Sequence, residues 1–197
     1  MNKFDLSKYI ISRYNSSVSP MKLQKLLYYA YAWQLVAGEK FFEAKFKAWP
    51  YGPVDLDIYQ EYKSFGSSFI HCKPNDLIIQ CKSNSTLDFI LDSYSVYSAI
   101  ELSKTTHLED PWKKNEAFGG YISDTDLVEF YKNQSFAQNF PLGTSKVYYP
   151  PKTSSHYAFT FDMNLENTPL FENLDHYLNV FEKESSSFDT RLKNYAF

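Results

Sequence analysis

The sequence predicts a mainly α protein with a small β element. Several long segments space their apolar side chains three or four residues apart, which is the period of an amphipathic helix. Two short stretches, 42–48 and 157–163, alternate their apolar side chains with others in the manner of a half-buried strand, and residues 66–85 predict a mixture of loop and short strand. The chain of 197 residues is 44% hydrophobic and 22% charged, which fits one folded domain or one domain with an appendage.

Two helices are predicted near the N-terminus. The first covers residues 4–14, where apolar side chains recur every four residues. The second follows Ser19, whose side chain can cap it, and has Pro20 in its first turn, where no N–H is needed. Gly38 can adopt the left-handed conformation that ends this helix. Its apolar positions are Leu23, Leu26, Leu27, Ala30, Trp33 and Ala37.

The next segment predicts a strand, a turn and a helix. The strand covers 42–48 and ends before Pro50, since a proline cannot donate to a sheet ladder. The sequence Tyr51-Gly52-Pro53 predicts a sharp turn, with Gly52 in a backbone conformation that other residues find costly. A helix then runs from Asp55 to a stop at Gly66.

The middle of the chain predicts one long helix and one shorter helix. The long helix covers residues 86–104. Pro111 and a pair of glycines after it indicate turns or a short new helix. Ser123 and Asp126 resemble a capping box that opens a helix ending at Asn133. The inward positions expected on the long helix are Leu87, Leu91, Tyr94, Tyr97 and Leu102.

The composition changes after residue 140, so we divide the chain into a helical core, 1–140, and a C-terminal accessory segment, 141–197. The segment begins with a linker rich in Pro, Ser and Thr. An aromatic strand over 157–163 follows, and then a helix capped by Thr168 and Pro169. An apolar stripe on this helix comprises Leu170, Leu174, Leu178 and Phe181. The segment either completes the core or forms a partner surface.

Charge and motifs exclude several classes of function. A net charge of −3 argues against a dedicated nucleic-acid binder, and no apolar run is long enough to span a bilayer. The N-terminus lacks a secretory signal, so we expect a cytoplasmic protein. Two cysteines, Cys72 and Cys81, predict neither a disulfide nor a metal site in that compartment. Neither a G-x-G-x-x-G motif nor a Walker loop occurs, so the sequence shows no nucleotide-binding signature.

Nothing in the sequence forms a recognisable catalytic constellation, so we expect no enzyme. A Cys81 nucleophile with His107 as its base would require that the fold bring two distant residues together. The carboxylate pairs are typical of solvated groups near helix starts, where the helix dipole favours negative charge. These pairs are Asp55 with Asp57, Glu109 with Asp110, and Asp124 with Asp126.

Three motifs together carry a family resemblance. They are "KLQKLLYYAY" at 22–31, "WPYGPVDLDIY" at 49–59 and "THLEDPW" at 106–112. In this order and separation they resemble the Panacea domain, the antitoxin domain of the SocA-like family in bacterial and phage toxin–antitoxin systems. The similarity extends over roughly residues 1–135. The segment after Phe140 lies outside it.

The resemblance implies a helical core with a small antiparallel β element, no cofactor, and neutralisation of a protein toxin by direct contact. It also implies an alternative, because one branch of the family acts as an adaptor that delivers its toxin to a protease. A homo-oligomer or a toxin–antitoxin hetero-oligomer is compatible with either role. The candidate partner-binding or motif residues are Lys22, Lys25, Tyr28, Tyr29, Trp33, Trp49, Tyr51, Tyr59, His107 and Trp112.

Each candidate has a structural and a functional interpretation. Lys22, Lys25 and Tyr29 can brace their helix against the Trp49–Val54 turn, with lysine stems over aromatic rings, or they can contact a toxin. The structural interpretation is favoured for them, for the turn, and for His107 and Trp112. We therefore expect a non-enzymatic antitoxin whose motif residues mostly build the scaffold. A hydrolase that uses Cys81 or His107 remains a third hypothesis.

Overall fold

The mainly α prediction is confirmed by the computed structural model, which describes residues 1–71 and 84–140. All statements below concern that part of the chain. Its helices are α1 (Lys3–Arg13), α2 (Pro20–Ala37), α3 (Leu56–Tyr62), α4 (Ser85–Ser95), α5 (Ala99–Leu108), α6 (Asp110–Glu116) and α7 (Asp124–Tyr131). Its strands are β1 (Phe46–Trp49) and β2 (Gly52–Asp55), and short 3-10 helices cover Lys63–Phe65 and Ser135–Asn139.

Helix α2 is the centre of the fold and has the predicted bounds. The Ser19 side chain accepts a hydrogen bond from the Lys22 N–H, and Gly38 ends the helix with φ 71°. The helix packs against α4, α5, α7 and β2, so it is buried on nearly all sides. Apolar surroundings on every side explain why its polar side chains need partners from other elements.

The high aromatic content of the sequence is used mainly in the core around α2. Tyr29 stacks on Tyr94 with ring centroids 4.0 Å apart, and Trp33 meets Tyr131 at 5.0 Å. The Trp33 indole N–H donates to the Tyr94 hydroxyl at 2.7 Å. Such ring pairs add to the free energy of area burial, and this hydrogen bond satisfies the buried indole N–H of Trp33.

The β element is an antiparallel hairpin in which Phe46 pairs with Asp55 and Trp49 with Gly52. The strand predicted over 42–48 begins too early, because β1 starts only at Phe46. The backbone of Phe41 and Phe42 forms hydrogen bonds with the Gln34 side chain and not with another strand. Strand β2 was missed, since its sequence Gly-Pro-Val-Asp was interpreted as a turn followed by a helix.

The predicted long helix over 86–104 is wrong, because the structure has two helices there. Helix α4 ends at Ser95, and α5 begins after Ser98, whose side chain accepts from the Glu101 N–H. The Glu101 carboxylate accepts from the Ser98 N–H in return, which completes a capping box. All five predicted inward positions are nevertheless buried, because α4 and α5 both direct these residues into the core despite the break between them.

Replacing Ser98 with alanine is expected to lower the free energy of unfolding by about 1 kcal/mol, because the first turn of α5 loses a side-chain acceptor. Urea unfolding of the two chains measures the difference. Ser64→Ala, at an exposed serine outside the caps, is the control and should change little. Equal effects of the two substitutions would contradict the role of the capping box.

The remaining predicted elements are confirmed within small shifts of their bounds. Helix α3 and its 3-10 extension end at Gly66, helix α6 follows Glu109, and Ser123 caps α7. Phe140, the last described residue, packs on Trp33 at a centroid distance of 5.7 Å, and the division of the chain at residue 140 stays a prediction. The strand and helix predicted in 141–197 lie outside the described residues, as do Cys72 and Cys81. Within 1–71 and 84–140, no helix combines the length and apolarity that crossing a bilayer requires.

Candidate functional site

The three sequence motifs converge on the tip of the β1–β2 hairpin. Side chains from three helices donate hydrogen bonds to alternate backbone carbonyls of this tip. The bonds run from Trp112 Nε1 to Trp49 O at 3.0 Å, from Ser103 Oγ to Tyr51 O at 2.9 Å, and from Lys25 Nζ to Pro53 O at 2.9 Å. The tip is therefore anchored by α2, α5 and α6 at every second residue.

Gly52 allows this close approach. It has φ 91°, a conformation that L side chains rarely adopt. A Cβ added there would lie 2.5 Å from Thr106 Oγ1 and 2.8 Å from Lys25 Nζ. The predicted unusual conformation of Gly52 is confirmed, and the glycine is also required by the space that the lysine and the threonine occupy.

Lys25 is a buried amine rather than a surface cation. Only 1% of the residue is exposed. Burial lowers the pKa of Lys25 to about 7, and the nearby Glu109 carboxylate opposes this decrease. Lys25 Nζ donates a hydrogen bond to Pro53 O, and this bond connects α2 to the hairpin. Lys22 instead donates to Ser95 O at 2.7 Å, at the end of α4.

Glu109 is the second buried ionisable group, which corrects the prediction of a solvated Glu109–Asp110 pair. Its carboxylate accepts from Tyr29 Oη at 3.0 Å and from Tyr131 Oη at 2.7 Å. Burial raises the pKa of Glu109 to about 7, and the tyrosine hydrogen bonds act against that rise. Burial also raises the pKa of Tyr29 and of Tyr131, so both remain donors.

Asp55 is likewise buried, although a solvated pair with Asp57 was predicted. Its carboxylate accepts a hydrogen bond from Lys3 Nζ at 2.9 Å. The same carboxylate caps α3 by accepting from the Asp57 and Ile58 N–H groups. Its own backbone N–H donates to Gln24 Oε1 at 2.9 Å. These contacts fix the end of β2 to α1, α2 and α3.

His107 and Trp112 support the hairpin from behind. Their rings lie 4.1 Å apart, and burial lowers the pKa of His107. The buried His107 Nε2 has no hydrogen-bond partner among the described residues. The His107 ring is tilted by 33° to the Trp112 indole and packs against it, and the Cys81 considered as its catalytic partner lies outside the described part of the chain.

Both edges of the hairpin are occupied. On the β1 side, Ala48 N donates to Gly120 O at 2.9 Å and Ile122 N donates to Phe46 O at 2.8 Å. On the β2 side, the outward backbone groups bond to the side chains of Gln24 and Lys25. Because these groups are satisfied, the hairpin offers no free edge to which another chain could add a strand.

Aromatic side chains lie at the tip of the hairpin and farther along it. Tyr51 is 71% exposed, and Tyr59 is 37% exposed beside Trp49, with ring centroids 5.0 Å apart. Tyr121 pairs with Lys47 next to β1 and lies under its ammonium at 4.9 Å. Phe118, in the turn before Tyr121, is 93% exposed. We name Trp49, Tyr51, Tyr59, Phe118 and Tyr121 the hairpin surface.

The ten sequence candidates fall into three groups in this structure. Two are exposed, Tyr51 and Tyr59. Three are half-buried, Lys22, Trp49 and His107. The other five are buried, and a partner contact by any of the ten residues stays a prediction; the buried ones are Lys25, Tyr28, Tyr29, Trp33 and Trp112.

Sequence reasoning missed Phe118 and Tyr121. Both flank the Gly119-Gly120 pair, and a large aromatic residue beside a glycine turn was a usable signal of an exposed ring. Sequence reasoning also missed that Glu109 joins Lys25 in the interior. Among residues 1–71 and 84–140, no group of three or more His, Cys, Asp or Glu side chains could hold a metal ion.

Comparison with known proteins agrees with the motifs. Neither the curated proteins nor the solved structures include a significant match to the chain. A family model, described as "Antitoxin SocA-like, Panacea domain", matches residues 23–113. The match begins in α2, includes the hairpin, and ends one residue after Trp112, so it contains all the donors that anchor the tip. Residues 23–113, a little under half of the chain, are therefore similar to the Panacea domain of SocA-like antitoxins.

Proposed function

We propose that the protein neutralises a cognate toxin in the cytoplasm by binding it directly through the hairpin surface. The family match supports an antitoxin role in general. The observation that supports this particular surface is the position of Tyr51. Its side chain is 71% exposed, while its backbone carbonyl accepts a hydrogen bond from Ser103. No bond is made or broken in this mechanism.

The anchored tip favours tight binding for a physical reason. Association costs free energy when loops and side chains must become ordered. A tip held at Trp49, Tyr51 and Pro53 has already lost that freedom in the folded chain. Large exposed rings on such a support suit the role of anchors, because a few buried aromatic residues supply most of the binding energy at protein interfaces.

The closed edges define the mode of recognition. A toxin cannot extend the hairpin by strand addition, since Gln24, Lys25 and the 120–122 segment occupy its edges. Recognition must then use side chains. Partners can therefore change by substitution of exposed rings while the buried anchors stay the same.

Co-expression with candidate toxins encoded by neighbouring genes provides the test. Co-expression with the wild-type chain should restore growth and yield a co-purifying complex. Tyr51→Ser should weaken that complex about 30-fold or more, the effect of losing one interface hot spot, without changing the unfolding midpoint. Phe69→Ser is the matched control, because Phe69 is another exposed ring, at 55%, outside the hairpin surface.

Two results would contradict the proposal. Equal losses for Tyr51→Ser and Phe69→Ser would show that the hairpin surface has no special role. A toxin level that falls only in cells with an active protease would instead indicate the adaptor alternative, since a capturing antitoxin leaves the amount of toxin unchanged.

A further inference from the structure

Two of the three donors that hold the hairpin tip belong to one corner of the chain, between α5 and α6. Ser103 of α5 donates to Tyr51 O at 2.9 Å, and Trp112 of α6 donates to Trp49 O at 3.0 Å. Glu109 is the single residue between the two helices. The position of Glu109 therefore determines where both donors lie relative to the tip.

The backbone of Glu109 is bonded to both helices. Its N–H donates to Thr106 O at 3.2 Å in the last turn of α5, and its carbonyl accepts from the Lys113 N–H at 3.1 Å in the first turn of α6. Thr106 is fully buried, and its hydroxyl donates to Ser103 O at 2.7 Å. A displacement of Glu109 would therefore be transmitted to the helices on either side of the corner.

The side chain of Glu109 fixes the corner from the interior. It forms no capping bond to α6, although Glu109 is the N-cap residue of that helix. Its two oxygens instead accept separate hydrogen bonds, from Tyr29 Oη of α2 at 3.0 Å and from Tyr131 Oη of α7 at 2.7 Å. Loss of either hydroxyl would leave a buried oxygen without its donor, and such a group is costly. The corner is therefore bound to α2 and to α7 through one carboxylate.

We propose that Glu109 is a positioning residue of the hairpin surface: its two tyrosine donors fix the corner, and the corner fixes the carbonyls of Trp49 and Tyr51. This inference rests on the proposed function, in which Tyr51 contacts a toxin from an ordered tip. It adds that toxin affinity depends on two hydroxyls in the core, those of Tyr29 and Tyr131. A tip released from the corner must become ordered again on binding, and that ordering costs free energy.

Hydrogen exchange of the Trp112 indole N–H in the full-length chain tests the positioning role without any toxin. The chain has three tryptophans, and this N–H reports directly on the bond to the tip. Tyr29→Phe removes one donor to Glu109 and should quicken this exchange about tenfold, the effect of one buried hydrogen bond. Tyr31→Phe is the matched control, because Tyr31 also lies on α2 and donates to a carboxylate, that of Asp124, at 3.0 Å. It should change the Trp112 exchange by less than about twofold, since it leaves the corner in place.

Three results of this measurement would overturn the proposal. They are an unchanged rate in Tyr29→Phe, equal rates in Tyr29→Phe and Tyr31→Phe, and equal acceleration at Trp112 and Trp33. The Trp33 indole N–H donates to Tyr94 in the core, so it reports on general loss of stability rather than on the tip.

Substitution of Glu109 itself separates positioning from simple loss of packing. Glu109→Gln keeps an acceptor for one tyrosine and offers a donor to the other, so it should preserve the slow exchange of Trp112. Glu109→Leu removes both bonds and should quicken the exchange at least as much as Tyr29→Phe; Tyr131→Phe, which removes only one bond, takes its place where the leucine chain does not fold. Exchange as fast in Glu109→Gln as in these variants would contradict the proposal.

The consequence for binding is measured separately. Tyr29→Phe should weaken the toxin complex about threefold, because part of the ordering cost returns, whereas Tyr31→Phe should leave it unchanged. Faster Trp112 exchange together with unchanged toxin affinity would refute the link between the corner and binding. Absence of toxin binding in the wild-type chain would refute only the proposed function, since the exchange measurement needs no toxin.

Discussion

Replacing Gly52 with alanine is expected to lower the free energy of unfolding by about 3 kcal/mol or more. Positive φ at a residue with a side chain costs about 1–3 kcal/mol, and overpacking of an enclosed site adds a similar amount. At Gly52 both apply, because φ is 91° and the new Cβ would lie 2.5 Å from Thr106 Oγ1 and 2.8 Å from Lys25 Nζ. Urea unfolding with the slope checked for two-state behaviour measures the loss.

Gly38→Ala separates the two causes. Gly38 also has positive φ, at 71°, but nothing lies within 4 Å of the position that its Cβ would take. We therefore expect a loss of about 1 kcal/mol there, from backbone conformation alone. If Gly52→Ala lost no more than Gly38→Ala, the close packing of Lys25 and Thr106 on the hairpin tip would be refuted.

Displacement of Lys25 in the Gly52→Ala chain has a second consequence. The bond from Lys25 Nζ to Pro53 O is one of three that fix the tip. Hydrogen exchange at the β1–β2 hairpin should therefore quicken more than exchange in α4, which supplies none of the three atoms nearest to the added Cβ. Equal acceleration in both elements would indicate global destabilisation only.

Local chemistry explains which elements could be predicted from the sequence. Ser19, Gly38 and Ser123 act within one turn of their own helices, so their effects do not depend on the rest of the fold. The apolar period of α2 was equally informative. Elements set by local caps and periods therefore appeared at their predicted places, with shifts of a few residues.

The break between α4 and α5 could also have been predicted, because Ser98-x-x-Glu101 is a capping box in the sequence itself. The apolar period continued through the break and concealed it. Strand β2 is different, since nothing local favours Gly-Pro-Val-Asp as a strand. Pro53 is tolerated in β2 because its backbone groups point away from β1, so the ladder needs no N–H at this position. Its carbonyl accepts a hydrogen bond from Lys25 Nζ instead.

The candidate site was predicted in part for the same reason. The motifs marked Lys25, Trp49, Tyr51 and Trp112, and all four belong to the anchored tip. The burial of Lys25 and Glu109 could not be inferred, because charged residues are rarely buried and only tertiary contacts supply the partners that permit it. The buried motif residues thus form the support, whereas the exposed rings lie both within a motif, at Tyr51 and Tyr59, and beyond the motifs, at Phe118.

The buried pair should give the protein an unusual dependence of stability on pH. The folded-state pKa of Glu109 is raised from 4.5 to about 7 by burial. Between these values the folded chain keeps a proton that the unfolded chain has released, so the free energy of unfolding falls as pH rises. The folded-state pKa of Lys25 is lowered from 10.5 to about 7 by burial. Above about pH 7 the unfolded chain holds the extra proton, so the free energy of unfolding rises with pH.

The two groups together predict a minimum of stability near neutral pH, with slopes of up to about 1.4 kcal/mol per pH unit on each side. Glu109→Gln keeps an acceptor for Tyr29 and Tyr131 and should remove the falling limb below pH 7. Lys25→Met keeps the volume of the stem and should remove the rising limb above it. Urea unfolding across this pH range, compared with wild type, isolates each limb from other titrating groups. Curves that run parallel to wild type in both variants would mean that neither group changes its pKa on folding, and would contradict their burial beneath the hairpin.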